Sequence, residues 1–480
     1  MNVRIRNAPT TCNQDTKLLP YLEQLCKEVR TIGESRFFSV TTEIGYSDPL
    51  AILESIHQSN EAVCYLERPT NEFSIACGEF LADAKFEGLD RFKKAKQWSK
   101  DIFKKTFVAG DHKIPGTGPT MFMAASFEPT KYCVDCPPSL QIFLPRWQVL
   151  RKGGLHYLIS NIKISPDSSP KNLDAELYSR VWKLNGMRFA LSKAIDPEQV
   201  TVGKPIENFH YEYAVQKALE EIKAGKLSKV VLARQLTFQT NQELPPFSIA
   251  HALRNRFPDC YTFCLSTPNS GMMVGATPEM LLRASGTVLE TEAVAGSAPR
   301  GPSAGRDAHW GKTLLARKKE VHEHRVVIDS ILRRLKSIGL ENCHEGKPRL
   351  LRLANLQHVR TPLRVESHNN IHPFDALSAL HPTPAMGGSP REVALPLVRK
   401  LENSPRGWYS GITGWIDNRG RGEFVVPIRC GKLSQKSLTL YAGAGVVSGS
   451  SPAQEKVETD WKLKAMLDVI TGKSDFSGEK

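Results

Sequence analysis

The sequence predicts an α+β fold in which mixed or antiparallel sheets are flanked by helices. Strand-like segments lie close together and are joined by short turns such as Gly153-Gly154, which suits hairpins rather than parallel crossovers. From Tyr211 onward amphipathic helical stretches alternate with short apolar strands. Many of these strands again look hairpin-linked, which argues against a doubly wound parallel sheet. At 480 residues the chain exceeds one ordinary core, so one large folded unit or two lobes is expected.

In chain order, residues 21–29 read as a helix and residues 89–103 as a charged surface helix with spaced apolar positions. Residues 121–124 and 140–144 read as strands, the second ending at Pro145-Arg146-Trp147. Residues 147–150 and 155–162 form the next hairpin. The Ser/Pro-rich stretch 165–171 is a loop, a helix follows near 174–184, and 197–208 is a polar connection. This places an N-terminal lobe at 1–207, a catalytic region at 208–472 and a tail at 473–480. Residues 211–224 are an amphipathic helix stopped at Gly225, and Lys229-Val230-Val231-Leu232-Ala233-Arg234 is a buried strand with polar ends. Residues 312–335 carry a helical apolar pattern with few breakers, and Ser451-Pro452 starts a last helix.

Composition narrows the class. Hydrophobic residues make up 40% and charged residues 24%, as in soluble globular proteins. No apolar run approaches the roughly 20 residues that span a bilayer, and the first residues lack the apolar segment of a secretory signal. The net charge of +14 is spread along the chain without a basic stripe or interleaved aromatics. A solvated basic surface, or steering of an anionic small substrate, fits better than a nucleic-acid interface. The ten cysteines are scattered. Cys133 and Cys136 form one CxxC without a second pair at zinc spacing, so idle or buried thiols in a reducing cytoplasm are expected.

Five features carry chemistry. Lys229 opens an apolar strand; it either snorkels to water or, desolvated in a cleft, serves as a general base. Glu279, in Gly275-Ala276-Thr277-Pro278-Glu279, enters an apolar strand, where a carboxyl holds its proton, or it simply bonds turn amides. Glu320 and Glu323 are three apart on one helical face, and Glu455 and Glu458 repeat the spacing near the start of the last helix. Two such pairs facing each other would offer hard oxygen ligands to Mg²⁺, although each alone suits any surface helix. The glycines of Tyr441-Ala442-Gly443-Ala444-Gly445 end a strand and permit close approach of backbone to an anion. Arg429 suits bidentate pairing with a carboxylate or a structural ion pair.

Together these segments resemble the chorismate-utilising enzymes: the isochorismate, salicylate, anthranilate and aminodeoxychorismate synthases. The matching stretches are "KVVLARQ", "GATPEMLL", "TEAVAGSAPRG", "KKEVHEH", "HPTPAMGG", "YSGITGW", "VVPIRCGKL", "YAGAGVV" and "EKVETDWKL", in that order, with "FLPRW" at 143–147 extending the likeness to the N-terminal lobe. The resemblance implies a two-lobed chorismate-binding fold and a monomer. It implies that Lys229 is the base that deprotonates water and Glu279 the acid that protonates the leaving C4 hydroxyl. Glu323 and Glu458 match direct Mg²⁺ ligands, and Glu320 and Glu455 match carboxylates acting through metal-bound water. Tyr409 and Arg429 match residues holding the enolpyruvyl carboxylate. Gly445 matches a loop supplying backbone contacts, and Lys462 a lysine near substrate and metal. His358, Ala385, Gly296 and Ser297 line the pocket by the same match.

Within that family the sequence points to isochorismate synthase, which uses water. The ammonia-using enzymes usually have glutamine where Lys229 stands, and the aminodeoxychorismate enzymes usually have a lysine where Ala295 stands. "HPTPAMGG" is similar to the isochorismate branch. Salicylate synthases, which share acid and base and then eliminate pyruvate, are the nearest alternative. A non-catalytic basic protein on the same fold is the other, and the intact set Lys229, Glu279, Glu323 and Glu458 argues against it. Two positions depart from the family: Lys456 stands where an aromatic is frequent and Ser297 where threonine is frequent. The downstream route, to quinones, catechol siderophores or salicylate, is open at this level.

Overall fold

The computed structural model describes residues 18–472, apart from residues 59, 132, 134–135, 186–190, 192–196, 269, 354–355 and 368–370. The tail expected at 473–480 lies outside the described residues. Strand Leu140–Lys152 is the branch point of the sheet. One edge pairs along its length with Phe73–Phe86. The other edge is divided, residues 140–143 going to Thr120–Ala125 and residues 147–152 to Leu155–Ile164.

Two limbs lead away from that branch. The first runs from Phe73–Phe86 through Val63–Arg68, Tyr261–Ser266, Met272–Thr277, Cys430–Ser434 and Ser437–Val447 to Lys229–Gln239. The second runs from Thr120–Ala125 through Ile412–Asp417, Gly422–Val425, Met280–Ser285 and Val288–Pro299 to Leu356–Glu366. All these pairings are antiparallel; the parallel pairing among the described residues joins Arg36–Glu43 to Thr106–Ala109. The α+β reading with mixed or antiparallel sheets therefore holds. In each limb the strands from before residue 207 come first and those from after it follow, joined by one pairing: Val63–Arg68 with Tyr261–Ser266 in the first and Thr120–Ala125 with Ile412–Asp417 in the second.

Three helices position the site. Tyr211–Lys223 buries Tyr211, Ala214, Val215 and Ala218 on one stripe and stops where Gly225 turns to φ 73°. Pro452–Thr471 begins at Ser451-Pro452 and ends at the left-handed Gly472, and it packs on Tyr211–Lys223 and on Ser437–Val447. Lys318–Ser337 packs on Val288–Pro299 and buries Val327, Ile328, Ile331 and Leu335 at no more than 2% exposure. Each such side chain contributes about 1.5–3 kcal/mol of burial free energy.

Three expectations need correction. The strand does not end at Pro145 but continues to Lys152. Pro145 falls where one edge passes from one partner strand to another, opposite a register shift between Phe80 and Ala82, so its missing N–H leaves no ladder bond unmade. The helical pattern at 312–335 is divided into Ala304–Ala316 and Lys318–Ser337, with Arg317 extended (ψ 128°) between them. No proline or glycine marks this break; both halves pack on Val288–Pro299, but the first also meets Arg349–Arg352 and Leu356–Glu366 and the second Pro373–Leu380, so tertiary packing overrides propensity there. The third concerns Cys133 and Cys136, which are joined by a disulfide rather than idle, while the other described cysteines are free thiols, nearly all buried. Among the described residues no helix is long and apolar enough to cross a membrane.

Candidate active site

The ends of the two limbs and the helices Lys318–Ser337 and Pro452–Thr471 enclose a cleft whose empty volume, including the part open to solvent, is about 750 Å³. Strand alternation places Lys229 and Val231 on the cleft side, while Val230 and Leu232 enter the core. Lys229 is 2% exposed, and its Nζ lies 2.5 Å from Glu323 Oε1. Gly445, opposite Val231, leaves room for that pair: a Cβ there would sit 2.9 Å from both Glu323 Oε1 and Lys229 Cε. Gly445 is thus a strand residue, not part of a loop. Beyond Leu440 the strand edge that pairs with Cys430–Ser434 has no partner strand among the described residues.

Glu279 sits between strands Met272–Thr277 and Met280–Ser285 at 5% exposure. Its backbone is pinned by Thr277 Oγ1 on one side and the Val426 N–H on the other. Burial, and then the charge of Glu292, push its carboxyl up to about 8, against the lowering pull of Lys229, Lys462 and Arg429. A carboxyl raised this far is mostly protonated at neutral pH.

Arg429 has left-handed backbone (φ 51°) between two strands, and its carbonyl accepts the Ala276 N–H. The side chain is 8% exposed, and among the described residues no carboxylate pairs with it. Its Nη2 donates to His358 Nε2 at 3.1 Å. Burial and the nearby cations pull His358 down to about 3, so the ring is neutral; with Nε2 accepting, the tautomer assigned here lets Nδ1–H donate to Gly296 O at 3.1 Å. Ser297 Oγ is also 3.1 Å from Nδ1. Gly296 takes φ 74° at a bulge, the register shift lying between Ala295 and Ser297. Tyr409 stacks on Tyr441 with centroids 5.1 Å apart, and burial pushes its phenol up. A buried guanidinium beside a neutral phenol and a neutral imidazole offers a ready seat for an incoming carboxylate.

On the helix Pro452–Thr471, Glu458 Oε1 is 2.6 Å from Lys462 Nζ, which also donates to Gly443 O at 2.8 Å. Glu455 is 4% exposed; burial, and then its charge, push the Tyr211 phenol up. Glu320 lies under Gly296, and its Oε2 is buried with no hydrogen-bond partner. Among the described residues no three His, Cys, Asp or Glu side chains converge tightly enough to grip a cation, and Glu323 and Glu458 are each turned to a lysine. The donor set nevertheless suits a hard divalent cation: four carboxylates on two helices, one oxygen of them orphaned.

Of the residues singled out from sequence, Lys229, Glu279, Gly296, Ser297, Glu323, His358, Ala385, Tyr409, Arg429, Gly445, Glu458 and Lys462 all line the cleft, whereas Glu320 and Glu455 stand behind it. Sequence reasoning missed Arg406, Met386, Tyr441 and Ile428, which also line it. Arg406 lies in Ser404-Pro405-Arg406-Gly407, which reads locally as a turn with a surface arginine.

Comparison with known proteins identifies the family. Residues 23–471 match the family described as chorismate binding enzyme. Isochorismate synthase EntC of Escherichia coli K12 is 33% identical over 300 residues, 62% of this chain and 73% of that one. Isochorismate synthase MenF of Bacillus subtilis is 30% identical over 395 residues, 80% of this chain and 82% of that one. The solved structure of the menaquinone-specific isochorismate synthase MenF of Escherichia coli superposes with a TM-score of 0.76 at 23% identity, covering 94% of this chain and 99% of that chain, and so shares its fold.

Proposed function

The chain belongs to the chorismate-binding enzymes, and on that premise we propose that it is a Mg²⁺-dependent isochorismate synthase. The observation that carries this is the shared cleft of Lys229 and a carboxyl, Glu279, that holds its proton at neutral pH. Adding water to one ring carbon while expelling hydroxide from another requires a base and an acid at separate positions.

Arg429 and Tyr409 hold the enolpyruvyl carboxylate, with His358 keeping the guanidinium in place. Lys229 takes a proton from the water that attacks C2. Glu279 gives its proton to the C4 hydroxyl, which leaves as water while the ring double bonds shift. One water enters and one departs, so the product is an isomer of the substrate. Lys229 reaches the attacking water only when its contact with Glu323 opens. Glu323 and Glu458, backed by Glu320 and Glu455, are the residues that would hold Mg²⁺, which there would supply positive charge to neutralise and orient the ring carboxylate.

Purified protein incubated with chorismate and Mg²⁺, without ammonia, should yield isochorismate and no pyruvate, with EDTA abolishing the reaction. Salicylate with equimolar pyruvate would move the chain to the eliminating branch. Absence of turnover would overturn the enzymatic reading.

A further inference from the structure

Strand Lys229–Gln239 is paired along one edge with Ser437–Val447. On the other edge its backbone partners are interrupted. Gly388–Ser389 pairs with residues 229–230, the Gly387 carbonyl takes the Val231 N–H, and Ile206–Glu207 pairs only with residues 236–237. Between them two side chains occupy the edge. Glu402 Oε1 accepts the Ala233 N–H at 2.8 Å, and Arg406 Nη2 donates to the Val231 carbonyl at 2.8 Å. A neighbouring strand would present the same succession of donor and acceptor.

The two side chains are bound to each other and almost fully enclosed, at 3% and 2% exposure. Arg406 Nε meets Glu402 Oε2 at 2.8 Å, and Nη2 meets Oε1. Nη1 donates to the Met386 carbonyl at 2.8 Å and to Ser410 Oγ at 3.2 Å. The guanidinium lies 4.2 Å from the centre of the Phe127 ring. Every N–H of the guanidinium fork is thus engaged. Outside the pair itself, its partners Val231, Met386 and Ser410 are all cleft-lining residues. They belong to the strand of the base, to the wall at Ala385-Met386 and to the turn carrying Tyr409.

We propose that the Glu402–Arg406 pair is a positioning device for catalysis, a side-chain substitute for the missing strand edge that fixes Lys229 relative to the cleft wall and to Tyr409. This rests on the isochorismate synthase reading above. Stability alone accounts poorly for it, since a buried ion pair is often no more stabilising than apolar residues of equal volume. Placement accounts for it better, because a displacement of about 1 Å at a reacting group costs on the order of a hundredfold in rate.

The test uses the full chain carrying Arg406→Lys, Glu402→Gln or Ser410→Ala, assayed well below each melting temperature. Arg406→Lys keeps the charge but cannot make all these bonds; its kcat should fall about tenfold or more, with chorismate KM changed less than about threefold. Glu402→Gln, which retains an acceptor for Ala233, should lose less. Ser410→Ala removes a single bond and should lower kcat at least about threefold. Wild-type kcat in folded Arg406→Lys, or a change in KM alone, would overturn the proposal. If the first two variants fail to fold, wild-type kcat in Ser410→Ala would assign the pair to stability and overturn it equally. A wild-type protein that does not turn over chorismate would instead sink the functional reading, and this inference with it.

Discussion

Lys229 Nζ and Glu323 Oε1 are 2.5 Å apart, so the base and a metal-ligand carboxylate of the proposed site are held together across the cleft. Gly445 makes that contact possible. In Gly445→Ala the new methyl would meet Glu323 Oε1 and Lys229 Cε at 2.9 Å and force one of them aside. The strand pairing around it involves only backbone, so the fold should persist. Turnover should drop at least about tenfold with little change in the thermal melt. Unimpaired turnover would show that the room Gly445 leaves around Lys229 and Glu323 is not needed for catalysis.

Glu279 gives a pH dependence of definite sign. Burial and then Glu292 raise its carboxyl from 4.5 to about 8. The acid is loaded below that value and loses its proton above it, so kcat/KM should fall as pH rises through about 8. Stability has the same sign. The folded state holds this proton more tightly than the unfolded chain does. The contribution is complete below the unfolded value near 4.5 and is lost as pH climbs through about 8. Glu279→Gln should reduce turnover about 10²–10⁴-fold and melt at or above the wild-type temperature at pH 9. A wild-type kcat/KM that is flat from pH 7 to 10 would remove Glu279 as the acid.

Metal dependence should follow the two helices. Glu323→Gln and Glu458→Gln each remove a charged oxygen donor and should raise the Mg²⁺ concentration for half-maximal activity by about tenfold or more. Glu320→Gln should have a smaller effect. Calorimetric Mg²⁺ titration of the same variants separates metal binding from chemistry, and equal affinity in all of them would place the metal elsewhere.

His358 works through Arg429. With its ring held neutral, it can accept from the guanidinium and donate to Gly296 O. His358→Ala should therefore raise chorismate KM about tenfold with a smaller effect on kcat, because the carboxylate seat is loosened and the acid and base are untouched. Arg429→Lys should be worse, since the fork geometry is lost. A pure kcat effect in His358→Ala would mean that the imidazole takes part in chemistry.

Much of this was legible in the chain because local signals agreed with the fold. The helix ending at Gly225, the strand from Lys229 and the Ser451-Pro452 helix start all have local causes, and the carboxylate spacings 320/323 and 455/458 place the pairs on helix faces. The rest depended on distant partners. Pro145 is tolerated mid-strand only because its edge changes partner there. Arg317 interrupts a helical pattern for the sake of packing. Gly445, which the resemblance matches to a loop, belongs to a strand whose neighbour comes from about 210 residues earlier in the sequence. The Glu402–Arg406 pair bonds to backbone at Val231, Ala233 and Met386, and no spacing rule connects these positions.

The most direct measurement is turnover of chorismate in H₂¹⁸O with Mg²⁺, with the product mass determined before and after conversion. The account requires one solvent oxygen in isochorismate, at C2, and loss of the original C4 oxygen, with no label entering in Lys229→Ala. Isochorismate formed without solvent oxygen would contradict attack by water from the Lys229 side and, with it, the central claim.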